Sequence, residues 1–462
     1  MGVCMTRRRF LGCSSAVAAG AWAVPTLIPE RAWAGANQQL NIALLACGGR
    51  AGQLVPSIFH SGENITALCD VDARQITRMI RAFPSKFDRA KVYEDYRKLL
   101  EEEKTVDAVV ISAGQRWHVP MSLRALEAGK HVFCEKPLAH SVAEARQIGQ
   151  LARQKKLATQ IGTQGGSTDT FRRSMEVIQA GLLGRIQEVH CWINRDFPPS
   201  APIDTHADPI PEGLNWDFWC GPSPLLPFKS YYIAAPGQVG CLHWGRWLAF
   251  GDGHLADMGA HAINLPHRAL KLGPPTKVSV KSAEPVRDSY PSANTFCWEY
   301  PERGGVGPLK LWWHDGRQAG PPEHLGKELL TTYNKVPTNG VLFVGEKGIL
   351  YANAWGVGGV VKLQGEAKCR GVLDHEAAKP IPITLPRAKG QNHMQEWIDA
   401  CKGLTQTFQP LESAAPIAEV AMIGMVALRL SRPIQWDEEA MKVPGVPEAD
   451  RWIHLEQRKK WL

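Results

Sequence analysis

The chain between residue 40 and about residue 160 alternates short, continuous apolar runs with longer stretches in which apolar positions recur every three or four residues. The first pattern predicts buried strands and the second predicts helices. The predicted strands are Leu40–Cys47, Ile65–Cys69, Val106–Ser112 and His131–Cys134, and the clearest helices are Val119–Glu127 and Ser141–Leu157. Because strands that alternate with helices form parallel sheets covered on both faces, residues 38–160 are predicted to be an α/β domain.

From about residue 186 the pattern changes to short strands separated by turns rich in glycine and proline. The predicted strands are Ile186–Asn194, Lys277–Ser282, Thr295–Tyr300, Leu309–His314, Gly340–Val344 and Gly348–Tyr351, with a long loop region over residues 198–247. This pattern predicts a second, α+β domain over residues 161–390, built on a largely antiparallel sheet. Residues 391–462 contain two helical patterns, Asn392–Lys402 and Ala414–Leu430, which we expect to pack back on the body of the protein.

Residues 1–34 follow neither pattern. The segment Thr6–Gly12, with three consecutive arginines, precedes an apolar run of small residues up to Ile28, and Ala-Trp-Ala follows at residues 32–34. This order is typical of a twin-arginine export signal with an A-x-A cleavage site. An uncleaved membrane anchor is the alternative, but the run contains Pro25 and is barely long enough to cross about 30 Å of hydrocarbon. We therefore expect cleavage after Ala34, a periplasmic or otherwise exported protein, and no stable membrane span afterwards.

Charge and cysteine content narrow the class of protein. The net charge is +8, and the first 34 residues carry three of these excess positive charges, so the remainder is too weakly basic to indicate nucleic-acid binding. Of 11 cysteines, two lie in the predicted signal, and the other nine show no C-x-x-C spacing. Several of them, including Cys47, Cys69, Cys134 and Cys191, lie in apolar runs, which favours buried thiols over a disulfide scaffold or a zinc site.

The first predicted strand leads directly into a glycine-containing turn, Ala46–Gly52. In a dinucleotide-binding fold, this turn reads G-x-G-x-x-G/A and lets the backbone and the following helix N-terminus approach a pyrophosphate. Here Ala46 replaces the first glycine. Asp70 ends the second strand 22 residues after Gly48, close to the spacing expected for an acid that accepts ribose hydroxyls. Such an acid favours NAD over NADP, although Arg74 leaves NADP open.

A second motif, Glu135-Lys136-Pro137, follows the strand His131–Cys134. The carboxyl ends of parallel strands are where open α/β sheets bind their ligands. With this triplet, the sequence resembles the Gfo/Idh/MocA family (glucose–fructose oxidoreductase, inositol dehydrogenase, rhizopine catabolism). Four further segments resemble its exported, sugar-related branch: Ile161–Gln164, Trp216–Pro222, Gly251–His261 and Gly345–Gly348. The resemblance implies a Rossmann domain over residues 38–160 and a tightly bound nicotinamide cofactor.

The turn, the strand ends and the resemblance together define the expected cofactor site. The residues expected to contact NAD are Cys47, Gly48, Gly49, Arg50, Ala51, Asp70, Ser112, His118, Glu135, Lys136 and Gln164.

Oxidation of a secondary alcohol requires a base for the hydroxyl proton and a cation that stabilises the developing alkoxide. Lys136 and His261 supply these chemical types, and Asp257 is four residues before His261, so on a helix its carboxylate could orient the imidazole. The resemblance implies that Lys136 contacts the reacting hydroxyl, that Asp257 is its charged partner and that His261 is the general acid/base. Without the resemblance, a structural role is as compatible with the sequence for each residue: a surface ion pair for Lys136, a helix cap for Asp257 and a buried core histidine for His261.

His254, Asp257 and His261 also have the pattern H-x₂-D-x₃-H. We expect no metal site there, because zinc needs a denser ligand cluster and the two histidines would be two turns apart on a helix. Sugar-contacting residues are sought among aromatic and polar side chains of the second domain. The candidates are Arg195, Tyr231, Trp244 and Arg246, for each of which a packing role is equally compatible with the sequence.

The sequence thus predicts an NAD(P)-dependent oxidoreductase that acts on a CH–OH group of a sugar or polyol. An exported enzyme would have to regenerate its bound cofactor in each cycle. This requirement leaves open a redox-neutral glycosidase or lyase that works by transient oxidation and elimination. A sugar-binding protein with a relic Rossmann fold is disfavoured by the presence of Lys136, Asp257 and His261. We also expect a homo-oligomer formed through the sheet of the second domain.

Overall fold

The structure is a computed structural model that describes residues 39–195, 206–283, 288–302 and 307–461. The predicted export signal, residues 1–34, lies outside the described residues.

The helices are α1 (Gly49–His60), α2 (Ala73–Ala82), α3 (Tyr96–Glu102), α4 (Gln115–Glu127), α5 (Val142–Lys155), α6 (Asp169–Gln179), α7 (Trp216–Cys220), α8 (Cys241–Trp244), α9 (Gly253–Asp257), α10 (Gly259–Ala262), α11 (Asn264–Ala269), α12 (Glu323–Tyr333), α13 (His393–Cys401), α14 (Leu411–Leu430) and α15 (Asp450–Ile453). The strands are β1 (Asn41–Leu45), β2 (Asn64–Cys69), β3 (Lys91–Tyr93), β4 (Ala108–Ile111), β5 (His131–Cys134), β6 (Thr159–Ile161), β7 (Ile186–Ile193), β8 (Lys277–Ser282), β9 (Asn294–Tyr300), β10 (Leu309–Asp315), β11 (Asn339–Gly345), β12 (Gly348–Ala352), β13 (Val360–Leu363), β14 (Arg370–Gly371) and β15 (Ile434–Gln435).

The first sheet has six parallel strands in the order β3-β2-β1-β4-β5-β6. Its central strands are completely buried because helices cover both faces: α1 and α2 pack on one face, and α4 and α5 pack on the other. The predicted α/β fold is therefore confirmed. The short edge strands β3 and β6 were not predicted, since each has only three residues and neither forms a long apolar run.

The second sheet has nine strands in the order β14-β13-β12-β11-β7-β10-β9-β8-β15. All neighbouring pairs are antiparallel except β7 and β10, which run parallel, so the predicted largely antiparallel sheet is confirmed. One face carries large buried side chains, among them Phe296, Trp298 and Trp313, and packs against α14 and the helices before β8. On the opposite face, α12 covers Trp192 and Tyr351.

Helix α14 joins the two domains. It packs along α5 of the first domain so closely that a Cβ atom placed at Gly149 would lie 2.7 Å from the Ala415 Cβ. On its other side, the Val420 carbonyl accepts a 3.0 Å hydrogen bond from the Trp298 indole. Among the described residues, α14 is the one helix long and apolar enough to cross a membrane, but 72% of that apolar window is buried inside the protein.

The last described segment, residues 457–461, contacts both domains, and we call it the tail segment. Arg458 forms an ion pair with Asp217, at 2.5 Å, and also donates to the Gly221 carbonyl. The Trp461 ring packs edge-on against Trp117 and Phe218, with ring centroids 5.3 and 4.7 Å away. These contacts bring the tail segment to the edge of the cleft described next.

Candidate cofactor and reaction site

The turn after β1 has the geometry of a dinucleotide-binding loop. Ala46, which stands where the first glycine is usual, has a φ of +73°, a left-handed conformation that L-residues avoid. Its N–H donates to the Cys69 carbonyl at 2.8 Å and ties the turn to β2. Space opens beyond Gly48, because nothing lies within 4 Å of a Cβ atom placed there. Ala51 is fully buried, so the third position of the motif serves helix packing.

The acid at the end of β2 lies beside this turn. The Asp70 carboxylate accepts the Cys47 N–H at 2.7 Å and the Asp72 N–H at 2.9 Å. Burial raises the pKa of Asp70 to about 6, although these N–H donors oppose the shift. Arg74, the residue that left NADP open, forms two 2.7 Å contacts with Asp72 and is held there. Because the Arg74 guanidinium already binds the Asp72 carboxylate, it is not placed to bind the 2′-phosphate of NADP, and the site favours NAD.

A cleft opens to solvent between the turn and the second domain. Its first wall comes from the turn and the carboxyl ends of the parallel strands, including Asp70, Ser112, Glu135 and Lys136. The opposite wall comes from residues 233–241 and Trp244, and the tail segment contributes Trp461. The second-domain wall touches the turn directly, since a Cβ atom placed on Gly49 would be 2.4 Å from the Gly237 carbonyl oxygen.

The lining of this cleft fits a nicotinamide dinucleotide. Gly48 leaves its backbone open to the cleft, and α1 begins at the next residue, so N–H groups of a helix N-terminus are available to a pyrophosphate. The Ser112 hydroxyl is buried and has no hydrogen-bond partner among the described residues. A buried, unsatisfied hydroxyl at the end of a strand is accounted for by a polar ligand in the cleft.

Glu135 fixes the floor of the cleft. Its carboxylate accepts from Arg50 at 2.7 Å, and the pair joins the first turn of α1 to the end of β5. A side chain at Gly162 would overlap this carboxylate, because a Cβ atom there would lie 2.5 Å from it. The ion pair between Arg50 and Glu135 thus fixes the position of the turn after β1 relative to β5.

Lys136 is next in the chain, follows β5 and points to the second domain. Its ammonium donates to Asp257 at 2.6 Å, and Asp257 also accepts from Arg195 at 2.8 Å. Burial alone would lower the pKa of Lys136, but the Asp257 carboxylate more than offsets it and the pKa is raised. The two cations hold the pKa of Asp257 below its ordinary value despite burial. The Lys136 ammonium and the Asp257 carboxylate therefore both stay charged at neutral pH.

His261 is buried near this cluster, with its ring centroid 6.0 Å from that of Trp355. Burial, followed by the positive charge of Lys136, lowers its pKa well below 6.5, so the imidazole is neutral. The expectation that Asp257 orients this ring is wrong. Asp257 ends α9 and His261 lies in the separate helix α10, so the two do not share one helix face. The Asp257 carboxylate binds Lys136 and Arg195, and Nδ1 of His261 has no partner among the described residues.

Four residues expected at the cofactor do not line the cleft: Cys47 and Ala51 are buried in the turn, and His118 and Gln164 lie elsewhere. His118 is buried in α4, with Nδ1 2.5 Å from the Pro137 carbonyl oxygen and Nε2 2.9 Å from that of Ala113. It supports the Glu-Lys-Pro turn from behind rather than lining the cleft. Gln164 is exposed and lines a separate groove beside Trp355. Their expected contact with NAD has no geometric support.

The expected sugar-contacting residues are similarly divided. Arg195 lies in the Lys136–Asp257 cluster and donates to His254 at 3.2 Å, whereas Trp244 lines the cleft. Tyr231 stacks on Trp247 at 5.1 Å and Arg246 donates to the Leu242 carbonyl, so both serve the fold of the long loop region. Among the described residues, no group of three His, Cys, Asp or Glu side chains could hold a metal ion.

Cys241 and Trp461 line the cleft but were not singled out from the sequence. Burial, and then the nearby Asp257 carboxylate, raises the pKa of Cys241 to about 11, so it remains a thiol. Nothing local to either residue indicates a site, because each reaches the cleft only through the tertiary fold. The nine described cysteines are all free thiols and seven are buried, as the apolar runs predicted.

Comparisons with known proteins agree with this geometry. The sequence profile of an oxidoreductase family with an NAD-binding Rossmann fold matches residues 40–163. Inositol 2-dehydrogenase of Salmonella paratyphi B is 33% identical over 132 residues, 28% of this chain and 38% of that enzyme. A glycosyl hydrolase family 109 protein of Stenotrophomonas maltophilia is 23% identical over 240 residues, 46% of this chain and 50% of that protein. The match thus spans half or less of either relative.

The likeness in three dimensions extends further. The crystal structure of an inositol dehydrogenase homologue from Azotobacter vinelandii, complexed with NADH and myo-inositol, has a TM-score of 0.58 and 16% identity. The similarity covers 87% of this chain and 98% of that one, and at this identity it speaks for the fold alone. The comparisons therefore identify residues 40–163 as an NAD-binding Rossmann domain of an oxidoreductase family, and they show a likeness in fold over most of the chain.

Proposed function

We propose that the protein is an NAD-dependent oxidoreductase that transfers hydride between a CH–OH group of a sugar or polyol and a tightly bound nicotinamide cofactor. The main observation in support is the position of Lys136, which follows the carboxyl end of β5 and lines the dinucleotide cleft. Its ammonium lies 2.6 Å from the Asp257 carboxylate. The inositol dehydrogenase names among the relatives support the same class of reaction.

Lys136 has the properties needed to bind the reacting hydroxyl. Its raised pKa keeps the ammonium charged, and one hydrogen bond to Asp257 leaves N–H donors for a substrate oxygen. As the hydroxyl loses its proton, the negative charge that develops on oxygen is stabilised by this fixed cation. Arg195 acts as a positioning residue, since it holds the second oxygen of Asp257 at 2.8 Å.

His261 is the group that would take the hydroxyl proton. Its lowered pKa keeps the imidazole neutral, and a neutral ring has one nitrogen that can accept a proton. The chemistry that a bound NAD supplies is acceptance of the hydride from carbon and its later return. Ser112, Gly48 and Asp70 would hold the dinucleotide, with its nicotinamide end toward Lys136.

The decisive test is stopped-flow reduction of bound NAD with a panel of sugars and polyols. We expect Lys136→Ala and His261→Ala to lower the rate by about 10²–10⁴-fold, the usual contribution of one positioned proton-transfer group. Cofactor retention, measured by mass of the released nucleotide, should be nearly unchanged. Variants that fold, hold NAD and reduce it at the wild-type rate would refute these roles.

We further propose that residues 1–34 are a twin-arginine export signal and that the protein acts outside the cytoplasm. The arginine motif and A-x-A site support this, and free cysteines suit a chain that folds in the reducing cytoplasm before export. Replacing Arg7 and Arg8 by lysine should leave active protein in the cytoplasm. Normal export of that variant would rule out the signal.

Redox-neutral glycoside cleavage is the second candidate, favoured by the glycosyl hydrolase family 109 relatives. In this reaction the hydride returns to the sugar after elimination, so no net NADH accumulates. Nitrophenyl glycosides separate the two activities: release of nitrophenol with a constant NADH level supports cleavage. The resemblance favours net oxidoreduction, because the glycosidases of this kind tend to lack the Glu-Lys-Pro lysine that is present here as Lys136.

We also propose a homo-oligomer formed through the second sheet. The face turned away from the core carries His190, Trp312 and His314 as a stacked row, with Trp312 and His314 half-buried beyond the cover of α12. Because α12 already covers part of this face, the contact would involve β8–β10. Light scattering should report more than one copy, and Trp312→Glu should reduce the mass to that of a single chain.

A further inference from the structure

A groove outside the cofactor cleft is lined by neutral polar side chains around one tryptophan. It is bounded by α1, the turn after β6, the loop after β12 and the start of α13. We call it the amide groove, and its main side chains are Ser57, Gln164, Asn353, Trp355, Gln391 and Asn392. No lysine, arginine, aspartate or glutamate of the described residues lines it. The groove is therefore uncharged but rich in hydrogen-bonding groups.

Three amides in this groove each use their oxygen to hold the fold and keep their nitrogen available. Asn353 accepts the Trp355 N–H at 3.0 Å, and Gln391 accepts the Asp169 N–H at 2.9 Å. Asn392 caps α13 by accepting the Met394 N–H at 3.0 Å. None of the three NH₂ groups has a partner among the described residues. Fixed amide donors of this kind are suited to hydroxyl oxygens.

Trp355 connects the groove to the reaction site. Its half-buried ring lines the groove and lies 6.0 Å from the His261 ring, tilted by 48°. The loop that carries Trp355 is seated firmly, because a Cβ atom at Gly165 would be 2.0 Å from the Trp355 carbonyl oxygen. An aromatic face offers an apolar surface to the C–H groups of a sugar ring, while amides bind its hydroxyls.

Helix α1 is a second element that borders both the amide groove and the cofactor cleft. Arg50, which lines the cofactor cleft, bonds Gln53 at 3.0 Å, and Ser57 follows on the same face of the helix. Trp355, through its contact with the His261 ring, and helix α1, through Arg50 and Ser57, therefore border both the reaction site and the amide groove.

We propose that the amide groove binds a second, uncharged sugar residue, so that the substrate is a glycoside or oligosaccharide rather than a single sugar. This inference rests on the proposed function, which places the reacting sugar at Lys136 and His261. The uncharged lining excludes a nucleotide or a sulfated sugar as the preferred occupant, since either would need cationic partners.

The test measures binding of the cofactor-loaded protein to an array of neutral mono-, di- and trisaccharides and their sulfated counterparts. We expect a neutral di- or trisaccharide to bind at least tenfold more tightly than its component monosaccharides. The double variant Gln391→Glu, Asn392→Asp keeps both accepting oxygens and the cap but replaces the NH₂ donors, and it should remove this preference. Trp355→Ala should remove it as well. Gln435→Glu, an exposed amide on β15, is the matched control for added charge.

Three results would overturn the proposal: no preference for larger neutral sugars, a preference for sulfated ones, or a preference that survives both the double variant and Trp355→Ala. Reduction of bound NAD by the same mono-, di- and trisaccharides is measured separately in the same proteins. If wild type fails to reduce NAD but binds oligosaccharides through the groove, the oxidoreductase assignment fails and the groove stands. If wild type reduces NAD without a groove-dependent preference, the reverse holds.

Discussion

At the scale of single residues, the turn after β1 contains a strained alanine. Ala46 has a φ of +73°, where an L-residue costs about 1–2 kcal/mol relative to its preferred conformations. Ala46→Gly should therefore raise the free energy of unfolding by about 1 kcal/mol, after the entropy cost of glycine is subtracted. Urea denaturation would measure the change. Ala51→Gly, inside α1, should lower stability by about 1 kcal/mol and is the matched control.

The neutral His261 leads to a pH prediction. A base works only while deprotonated, and burial with the charge of Lys136 lowers the pKa of this imidazole well below 6.5. The rate of NAD reduction should therefore remain flat as the pH falls through 6.5, where an ordinary histidine base would lose activity. Stopped-flow reduction at a series of pH values measures this. A midpoint at or above 6.5 for the acidic limb would contradict the assigned environment.

The sequence allowed some of these residues to be found and others not. Asp70 and Lys136 were identified because each directly follows a buried strand, and strand ends of a parallel sheet share one edge. The pairing of Asp257 with Lys136, which the resemblance implied, is present in the structure. The orientation of His261 by Asp257 was predicted wrongly, because a spacing of four describes one helix and not the Lys136 and Arg195 side chains that approach Asp257 from other elements. Trp355 and Trp461 lie far along the chain from the residues they approach, and no local pattern marks such contacts.

At the scale of elements, strands were predicted best where a buried run is bounded by turns. His131–Cys134 and Lys277–Ser282 agree with β5 and β8 at both ends. Residues 253–269 show where a local spacing fails, since they form three short helices and the spacing of four from Asp257 to His261 spans the end of one and the start of the next. The break lets Asp257 face Lys136 while His261 faces Trp355.

The tail segment gives a prediction about cofactor retention. Trp461 lines the cleft beside Asp95 and Tyr96, and Arg97 lies 4.8 Å from its ring. Trp461→Ala would remove that wall, and with aromatic contacts worth about 1.5 kcal/mol we expect roughly tenfold faster NAD dissociation. Release into excess unlabelled NAD would measure the rate. Lys459→Ala, an exposed neighbour, should not change it, and equal rates for both variants would exclude a role for Trp461.

At the scale of the whole molecule, the two domains share polar and apolar contacts. The buried Asp252 carboxylate of the second domain lies 2.5 Å from His140 Nδ1 and accepts from Gln115 at 2.8 Å, both in the first domain. It also accepts from Tyr290 at 2.8 Å. Helix α14 packs on α5 of the first domain and on the sheet of the second domain. Because the two domains share these buried contacts, we expect them to unfold together.

Gly149 offers a test of that coupling. A larger side chain there would collide with Ala415 and separate α5 from α14. Gly149→Leu should cost about 1–3 kcal/mol, as overpacked cores do, and lower the midpoint of one shared thermal transition. Differential scanning calorimetry would show it. Gly320→Ala, with nothing near the added atom, is the control, and two separate transitions in the variant would disprove a shared core.

The composition of α14 has a consequence for how the chain could cross a membrane. Leu411–Leu430 has the length and hydropathy of a membrane-spanning segment, but in the folded protein 72% of its apolar window is buried. A chain that passes through a translocon unfolded would expose this segment to the lipid. The segment would then insert as a membrane-spanning helix and stop the transfer of the rest of the chain. If residues 1–34 act as the proposed export signal, folding around α14 before export avoids this arrest, and the order of folding and crossing then decides on which side of the membrane the folded protein lies.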